Sequence, residues 1–214
     1  MAIQAKICGL NDADAVDAAV RFRARMVGFV WFPKSPRHVV PDQAAALAAR
    51  VPDDIERVGV MVDPDDAELE TFVRAARLSM VQFHGHESPA RLAEVAERFG
   101  VRTMKVIRVA EAVDLDAAAP YEPVADYLMF DAKPPREATR PGGNAVAFDW
   151  QLLSGRTWRR PWLLSGGLDA SNVKEAAATT GARIVDVSSG IEDRPGVKNP
   201  QKIREFLEIV RDLV

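Results

Sequence analysis

The chain has 214 residues, which suits one domain with a sizeable core. Hydrophobic residues make up 48% and charged residues 28% of it, and the formal net charge of -3 provides no attraction to nucleic acid or to an anionic membrane. Cys8 is the only cysteine, which excludes an internal disulfide framework and a multi-cysteine zinc site and fits a reducing cytoplasm. We expect neither a signal peptide nor a membrane-spanning segment.

Short β-type segments alternate with helical patterns along the whole sequence. We predict eight strands, at residues 2–8, 26–32, 57–62, 80–84, 102–109, 126–131, 161–166 and 184–189. One of the helices between them begins with Ser88 as N-cap and Pro89 in its first turn, and Gly100 ends it. The last helix begins at Asn199 and Pro200.

Eight strand–helix units in one domain over residues 1–214 predict an α/β fold, a single-domain (β/α)8 TIM barrel. An open doubly wound sheet is the alternative. It would normally place a G-x-G-x-x-G turn after the first strand, and the segment "CGLND" has no such pattern. The barrel is therefore favoured.

Polar residues gather on one face of four predicted strands, near their C-terminal ends. Since side chains alternate along a strand, Ile3, Ala5 and Ile7 share the face that suits the helices. The opposite face is the barrel interior, where active sites lie at the C-terminal ends of the strands. The polar residues that this parity predicts there are Lys6, Cys8, Gln82, His84, Asp131 and Asp186.

Small residues follow the last two strands. Gly166 and Gly167 come after the seventh strand, and Ser188, Ser189 and Gly190 come after the eighth. Backbone N–H groups in such turns can approach an anion, and these two loops form the usual phosphate site of barrels. We predict a phosphate-binding site here, and hence a small phosphorylated ligand.

Seven segments resemble the phosphoribosylanthranilate isomerase family of tryptophan biosynthesis, in the family's order and over nearly the whole chain. They are "KICGL", "GFVWFPKSPRHV", "VQFHGHE", "FDAKPP", "GGNAVAFDW", "LSGGLDASNV" and "VDVSSGIEDRPGVKN". The sequence departs from the family at Asn144-Ala145, where Thr-Gly is more common, at Met80, where Asp is frequent, and at Ser165, where Ala is usual. None of these changes removes a group that the reaction needs.

The resemblance implies an enzyme without cofactor or metal that performs the Amadori rearrangement of N-(5-phosphoribosyl)anthranilate to 1-(2-carboxyphenylamino)-1-deoxyribulose 5-phosphate. Cys8 matches the family's general base, Asp131 its general acid and Arg37 the arginine that binds the substrate. Its other matching substrate-binding positions are Lys6, Gln82, His84 and Asp186. The expected partner is a small phosphorylated substrate rather than nucleic acid or a membrane, and the expected assembly is a monomer or homodimer.

A thiol acts as a base only when ionised, and at an ordinary pKa of about 8.5 only a few per cent is thiolate at pH 7. We therefore expect a lowered pKa for Cys8. Lys6 on the same strand face could cause it, as could the N-terminus of a helix beginning at Asn11 or Asp12. Lys6 could instead contact the substrate.

Two other functions remain as alternatives. The histidine-pathway sugar isomerases perform the same rearrangement on a similar phosphosugar and resemble this chain in fold, but they use an Asp on the first strand as base, where Cys8 stands. They also tend to have two half-barrel repeats, each with its own phosphate loop, whereas "MVDPDDAEL" follows the third strand here. A non-catalytic phosphosugar-binding barrel would need neither Cys8 nor Asp131. The sequence favours the anthranilate-pathway isomerase over both.

Overall fold

The computed structural model describes residues 2–133 and 148–213. The departure from the family at Asn144-Ala145 lies outside these described residues. Eight parallel strands close into a barrel in sequence order, with the first strand paired to the eighth. They are β1 (Gln4–Cys8), β2 (Met26–Trp31), β3 (Glu56–Met61), β4 (Met80–Phe83), β5 (Arg102–Val109), β6 (Tyr127–Ala132), β7 (Trp162–Leu164) and β8 (Ile184–Val187). The predicted TIM barrel is confirmed.

Six α-helices of the described residues accompany these strands, and none of the described helices is long and apolar enough to cross a membrane. The predicted helix ends are confirmed: the Ser88 side chain accepts from the Arg91 amide, and Gly100 ends its helix in the left-handed conformation at φ 64. The helices are α1 (Ala13–Arg21), α2 (Pro41–Ala48), α3 (Asp66–Ala75), α4 (Pro89–Phe99), α5 (Val173–Thr180) and α6 (Pro200–Arg211).

Two connections differ from the regular strand–helix pattern. After β5 and β6 the described residues form 3₁₀ segments, Ala112–Ala118 and Trp150–Leu153, instead of α-helices. The first buries only Leu115 and Ala118, which is little apolar surface to stabilise a longer helix.

A small antiparallel hairpin of β9 (Glu192–Arg194) and β10 (Val197–Lys198) follows β8, and the sequence analysis did not predict it. Its turn contains Pro195 and Gly196, and the φ of +83 at Gly196 favours glycine. A Cβ at Gly196 would lie 2.4 Å from the carbonyl oxygen of Pro36, so the hairpin packs directly against the loop after β2.

The apolar core has an inner and an outer part, as the strand parity predicts. Residues such as Ile7, Phe29 and Phe130 pack between the barrel and its helices. The inner cluster fills the barrel itself and is rich in methionine, whose flexible side chain suits such a confined space. Its buried members are Met26, Val58, Met80, Met104, Val106, Met129, Leu163 and Ile184.

Candidate active site

Lys6 and Asp186 form a buried ion pair inside the barrel, at positions that the β1–β8 register sets side by side. Lys6 Nζ lies 2.6 Å from Asp186 Oδ1, and the lysine side chain has no exposed surface. The second carboxylate oxygen, Oδ2, accepts from Ser165 Oγ at 3.1 Å. Ser165, one of the departures from the family, therefore adds a hydrogen bond to this carboxylate.

Cys8 lies beside this ion pair, one layer closer to the C-terminal end of the barrel. A Cβ at Gly28 would lie 3.1 Å from Cys8 Sγ and 3.2 Å from Lys6 Nζ, so the missing side chain of Gly28 leaves room for both groups. Around the sulfur is a small apolar cluster with Val30 and Val60. The predicted proximity of Lys6 and Cys8 is confirmed.

The prediction that the pKa of Cys8 is lowered is wrong. Burial raises the pKa of the thiol above its ordinary value, and Asp186 adds to the rise, while Lys6 and Lys198 oppose it. Helix α1 does begin after Asp12, as expected, but the Asp12 carboxylate caps it by accepting from the Ala15 amide. An acidic cap offsets the positive end of that helix.

Asp131 lies at the same end of the barrel with only 5% of its surface exposed. Its Oδ1 accepts from the Ala132 amide at 3.0 Å, and its Oδ2 lies 3.4 Å from Nε2 of His84. A Cβ at Gly166 would lie 3.4 Å from Oδ1, so the loop after β7 passes close to this carboxyl. Gln82, two residues before His84, is also buried, and its Nε2 lies 3.5 Å from the sulfur of Met129.

Arg37 is buried, in contrast to the solvated loop arginine that would be its default state. Its Nε and Nη2 donate to the two carboxylate oxygens of Glu192 at 2.6 and 2.8 Å. Although burial opposes the charged form, Arg37 and Lys198 hold the pKa of Glu192 below its ordinary value. The paired contact therefore holds the guanidinium in one orientation.

The two glycine- and serine-containing loops contact each other. A Cβ at Gly190 would lie 2.1 Å from the carbonyl oxygen of Leu168, so the loop after β8 packs on the loop after β7. Gly166 and Gly167 have φ values of 92 and 65. Within the described ranges, the amides of Gly167 and Ser189 have no protein hydrogen-bond acceptor. The predicted phosphate site thus has backbone donors to offer an anion.

Three charged residues of this region received no role in the sequence analysis. Glu192 and Lys198 belong to the β9–β10 hairpin, and the Lys198 ammonium lies 2.8 Å from Glu192 Oε1 and 2.8 Å from the Ser188 carbonyl oxygen. Arg108 is in register with Asp131 on the neighbouring strand and donates to the His84 carbonyl at 2.5 Å. The Pro-Gly turn could have revealed the hairpin, and strand parity could have revealed Arg108.

The Arg37 side chain passes close to Gly9, at the end of β1. A substitution at Gly9 therefore tests the position of Arg37. A Cβ at Gly9 would lie 2.6 Å from Arg37 Cδ, and its φ is +76. Because the sequence predicts that Arg37 binds the substrate, we expect Gly9→Ala to raise KM about tenfold by displacing the guanidinium, the loss of about 1.4 kcal/mol of binding. Gly181→Ala is the matched control, since its φ is +72 and nothing lies within 4 Å of the added Cβ. Steady-state kinetics giving equal KM values for the two variants would contradict the placement.

Comparisons with known proteins give a consistent result. The family model described as N-(5'phosphoribosyl)anthranilate (PRA) isomerase matches residues 5–209. The N-(5'-phosphoribosyl)anthranilate isomerase of Paramagnetospirillum magneticum is 52% identical over 211 residues, covering 99% of this chain and 98% of the relative. That of Paracoccus denitrificans is 55% identical over 207 residues, covering 97% and 96%.

Solved structures agree with the relatives. The phosphoribosyl anthranilate isomerase of Thermotoga maritima superimposes with a TM-score of 0.88 at 32% identity, over 99% of this chain and 100% of that one. A structure of such an isomerase in complex with reduced 1-(o-carboxyphenylamino)-1-deoxyribulose 5-phosphate gives 0.84 at 30% identity, with the same coverage. The chain therefore belongs to the N-(5'-phosphoribosyl)anthranilate isomerase family, the TIM-barrel isomerases of tryptophan biosynthesis.

Proposed function

We propose that Cys8 is the general base and Asp131 the general acid for the Amadori rearrangement of N-(5-phosphoribosyl)anthranilate. The observation that carries this proposal is the presence of a buried thiol and a buried carboxyl on the interior face of β1 and β6, at the catalytic end of the barrel. Groups suited to bind anions, Arg37 and the loops after β7 and β8, adjoin them.

The first step opens the ribose ring. Asp131 donates a proton to the ring oxygen while the C1–O bond breaks, and the nitrogen lone pair forms a protonated Schiff base at C1. The contact of Asp131 with the Ala132 amide fixes Oδ1, which leaves Oδ2 beside His84 to hold the transferred proton. His84 and Gln82, both buried, would have binding rather than chemical roles.

The second step removes the proton from C2. The cationic Schiff base places a positive charge near the thiol, which favours the thiolate over the neutral thiol. The thiol therefore releases its proton to solvent, and the thiolate then takes the proton from C2. This charge appears only after ring opening, so the base becomes available when it is needed. The Lys6–Asp186 pair holds an ammonium beside the thiolate during the transfer. The resulting enolamine then tautomerises to the ketone.

Both ends of the substrate carry negative charge, and the site offers donors for each. Arg37 would attract the anthranilate carboxylate through its positive charge, since Glu192 already accepts from the paired Nε and Nη2 donors. The amides of the loops after β7 and β8 would bind the phosphate, with Gly166, Gly167, Ser188, Ser189 and Gly190 as the binding residues. Complete burial of Lys6 supports a role in holding Cys8 rather than in contacting the substrate.

Cys8 must stay a free thiol to act as a base, which supports a reducing cytoplasm as the site of action. The substrate is a small phosphorylated molecule, in keeping with the phosphorylated compound in the solved relative. The protein acts as a monomer or a homodimer; a Thermotoga maritima relative is described as dimeric.

The test of the reaction is a fluorescence assay on phosphoribosylanthranilate generated in the cuvette, followed by identification of the ketose product. The protein should consume this substrate with the usual turnover of biosynthetic enzymes, about 1–1000 s⁻¹. The histidine-pathway phosphosugar serves as the comparison substrate. Turnover of that compound alone would overturn the proposed function.

The raised pKa of Cys8 has a direct spectroscopic test, because the chain contains one cysteine. Thiolate absorbance near 240 nm, taken as the wild-type titration minus that of Cys8→Ser, should have its midpoint above the ordinary value of about 8.5. Burial penalises the thiolate, so ionisation requires a higher pH. A midpoint below the ordinary value would contradict this environment for the sulfur.

A further inference from the structure

Lys198 is a buried ammonium that the proposed reaction does not use. Its side chain has no exposed surface, and its Nζ contacts Ser188 twice, at the carbonyl oxygen (2.8 Å) and at Oγ (3.2 Å). A third contact, of 2.8 Å, joins it to Glu192 Oε1. A lysine is rarely buried so completely unless each of its donors has a partner.

These contacts connect the two ends of the candidate site. Arg37 Nε and Lys198 Nζ both contact Glu192 Oε1, and Lys198 also donates to Ser188 of the predicted phosphate loop. Ser188 and Arg37 both approach Gly9, since a Cβ there would lie 3.1 Å from Ser188 Oγ and 2.6 Å from Arg37 Cδ. Any shift of Lys198 would therefore move both the phosphate loop and the arginine.

Lys198 adds a second cation to the buried Arg37–Glu192 pair. Both cations contact the same carboxylate, so the Lys198 ammonium is buried close to another positive charge. Burying a cation in this way costs free energy, because burial disfavours charge. A phosphate dianion at the neighbouring loop would compensate it.

We propose that Lys198 is a positioning residue of the phosphate site, which fixes Ser188 and the Glu192–Arg37 pair and supplies the buried positive charge that attracts the dianion. This inference rests on the proposed location of the phosphate at the loops after β7 and β8. It assigns to the β9–β10 hairpin a function in ligand binding that its small size does not suggest.

The charged and titratable groups that face Lys198 are Glu192 on β9, Arg37 after β2 and Cys8 on β1. Burial lowers the pKa of Lys198 to about 8, with Arg37 adding to the effect and Glu192 and Cys8 opposing it. Below that pH the ammonium is charged, and above it the charge is progressively lost. Since a bound dianion favours the charged form, phosphate binding above pH 8 should draw a proton onto Lys198.

Calorimetric titration with inorganic phosphate tests this in Cys8→Ser protein, in which the thiol no longer titrates. Run at pH 8.5 in two buffers of different ionisation enthalpy, it should show uptake of about half a proton per phosphate bound, and little uptake at pH 6.5 after correction for phosphate's own ionisation. Lys198→Met in the same background should lose this uptake and bind phosphate about tenfold more weakly.

Two variants separate this role from a merely structural one. Lys202→Met removes a half-exposed lysine that donates to the Glu192 carbonyl in the same region, and it should keep both the affinity and the proton uptake. Lys198→Arg keeps a positive charge that does not titrate, so it should bind phosphate without the uptake.

Unchanged uptake in Lys198→Met would overturn the inference while leaving the phosphate site in place. If that variant does not fold, absence of uptake at pH 8.5 in the Cys8→Ser protein overturns it equally. Failure of inorganic phosphate to compete with substrate in the turnover assay of wild-type protein would overturn the phosphate location, and the role of Lys198 with it.

Discussion

Cys8→Ala is expected to lower kcat by about a hundredfold or more, the contribution of a general base to proton transfer. KM should change little, because the thiol acts on the C2 proton in the transition state and contributes little to binding of the ground state. The variant leaves its neighbours Lys6 and Asp186 paired, so the arrangement of the barrel interior should persist. Steady-state kinetics with the fluorescence assay measures both parameters.

Val60→Ala is the matched control for lost packing, since Val60 belongs to the same small cluster as Cys8 and carries no titratable group. It removes at least as much apolar volume and should cost about 1–3 kcal/mol of the free energy of unfolding, measured in urea. Its kcat should stay near that of the wild type. A Cys8→Ala variant with kcat within tenfold of wild type, by contrast, would exclude Cys8 as the base.

Local sequence patterns were sufficient to predict the barrel. Short apolar segments define the strands, and the caps at Ser88 and Gly100 define a helix, because these signals depend on neighbours close in sequence. The interior position of Lys6, Cys8, Asp131 and Asp186 followed from parity alone, and the two core clusters confirm that parity.

The electrostatics of the site could not be predicted in the same way. Lys6 lies two residues before Cys8 and suggested a lowered thiol pKa. The degree of burial, however, is a property of the whole barrel, and burial raises the pKa of the thiol instead. Likewise, Arg37 and Glu192 are far apart in sequence and meet only because the β9–β10 hairpin folds back over the loop after β2. Pairings of this kind require the three-dimensional structure.

Asp131→Asn is the second change with a large expected effect, a loss of about a hundredfold or more in kcat. Asparagine has the same shape and can still accept from the Ala132 amide, but it cannot give a proton to the ring oxygen. Asp126→Asn is the matched control, since Asp126 accepts from the Thr103 amide immediately before the same strand, at the opposite end of the barrel. That control should retain nearly wild-type kcat.

Substrate deuterated at C2 separates the roles of the two residues. If Asp131 acts in ring opening, its loss makes that step limiting, and the isotope effect on kcat should fall toward unity in Asp131→Asn. Loss of the base in Cys8→Ser should have the opposite effect, because C2 proton transfer then limits the rate. An isotope effect that rises in Asp131→Asn and vanishes in Cys8→Ser would mean that Asp131 removes the C2 proton and that Cys8 serves the ring oxygen, reversing the assignment.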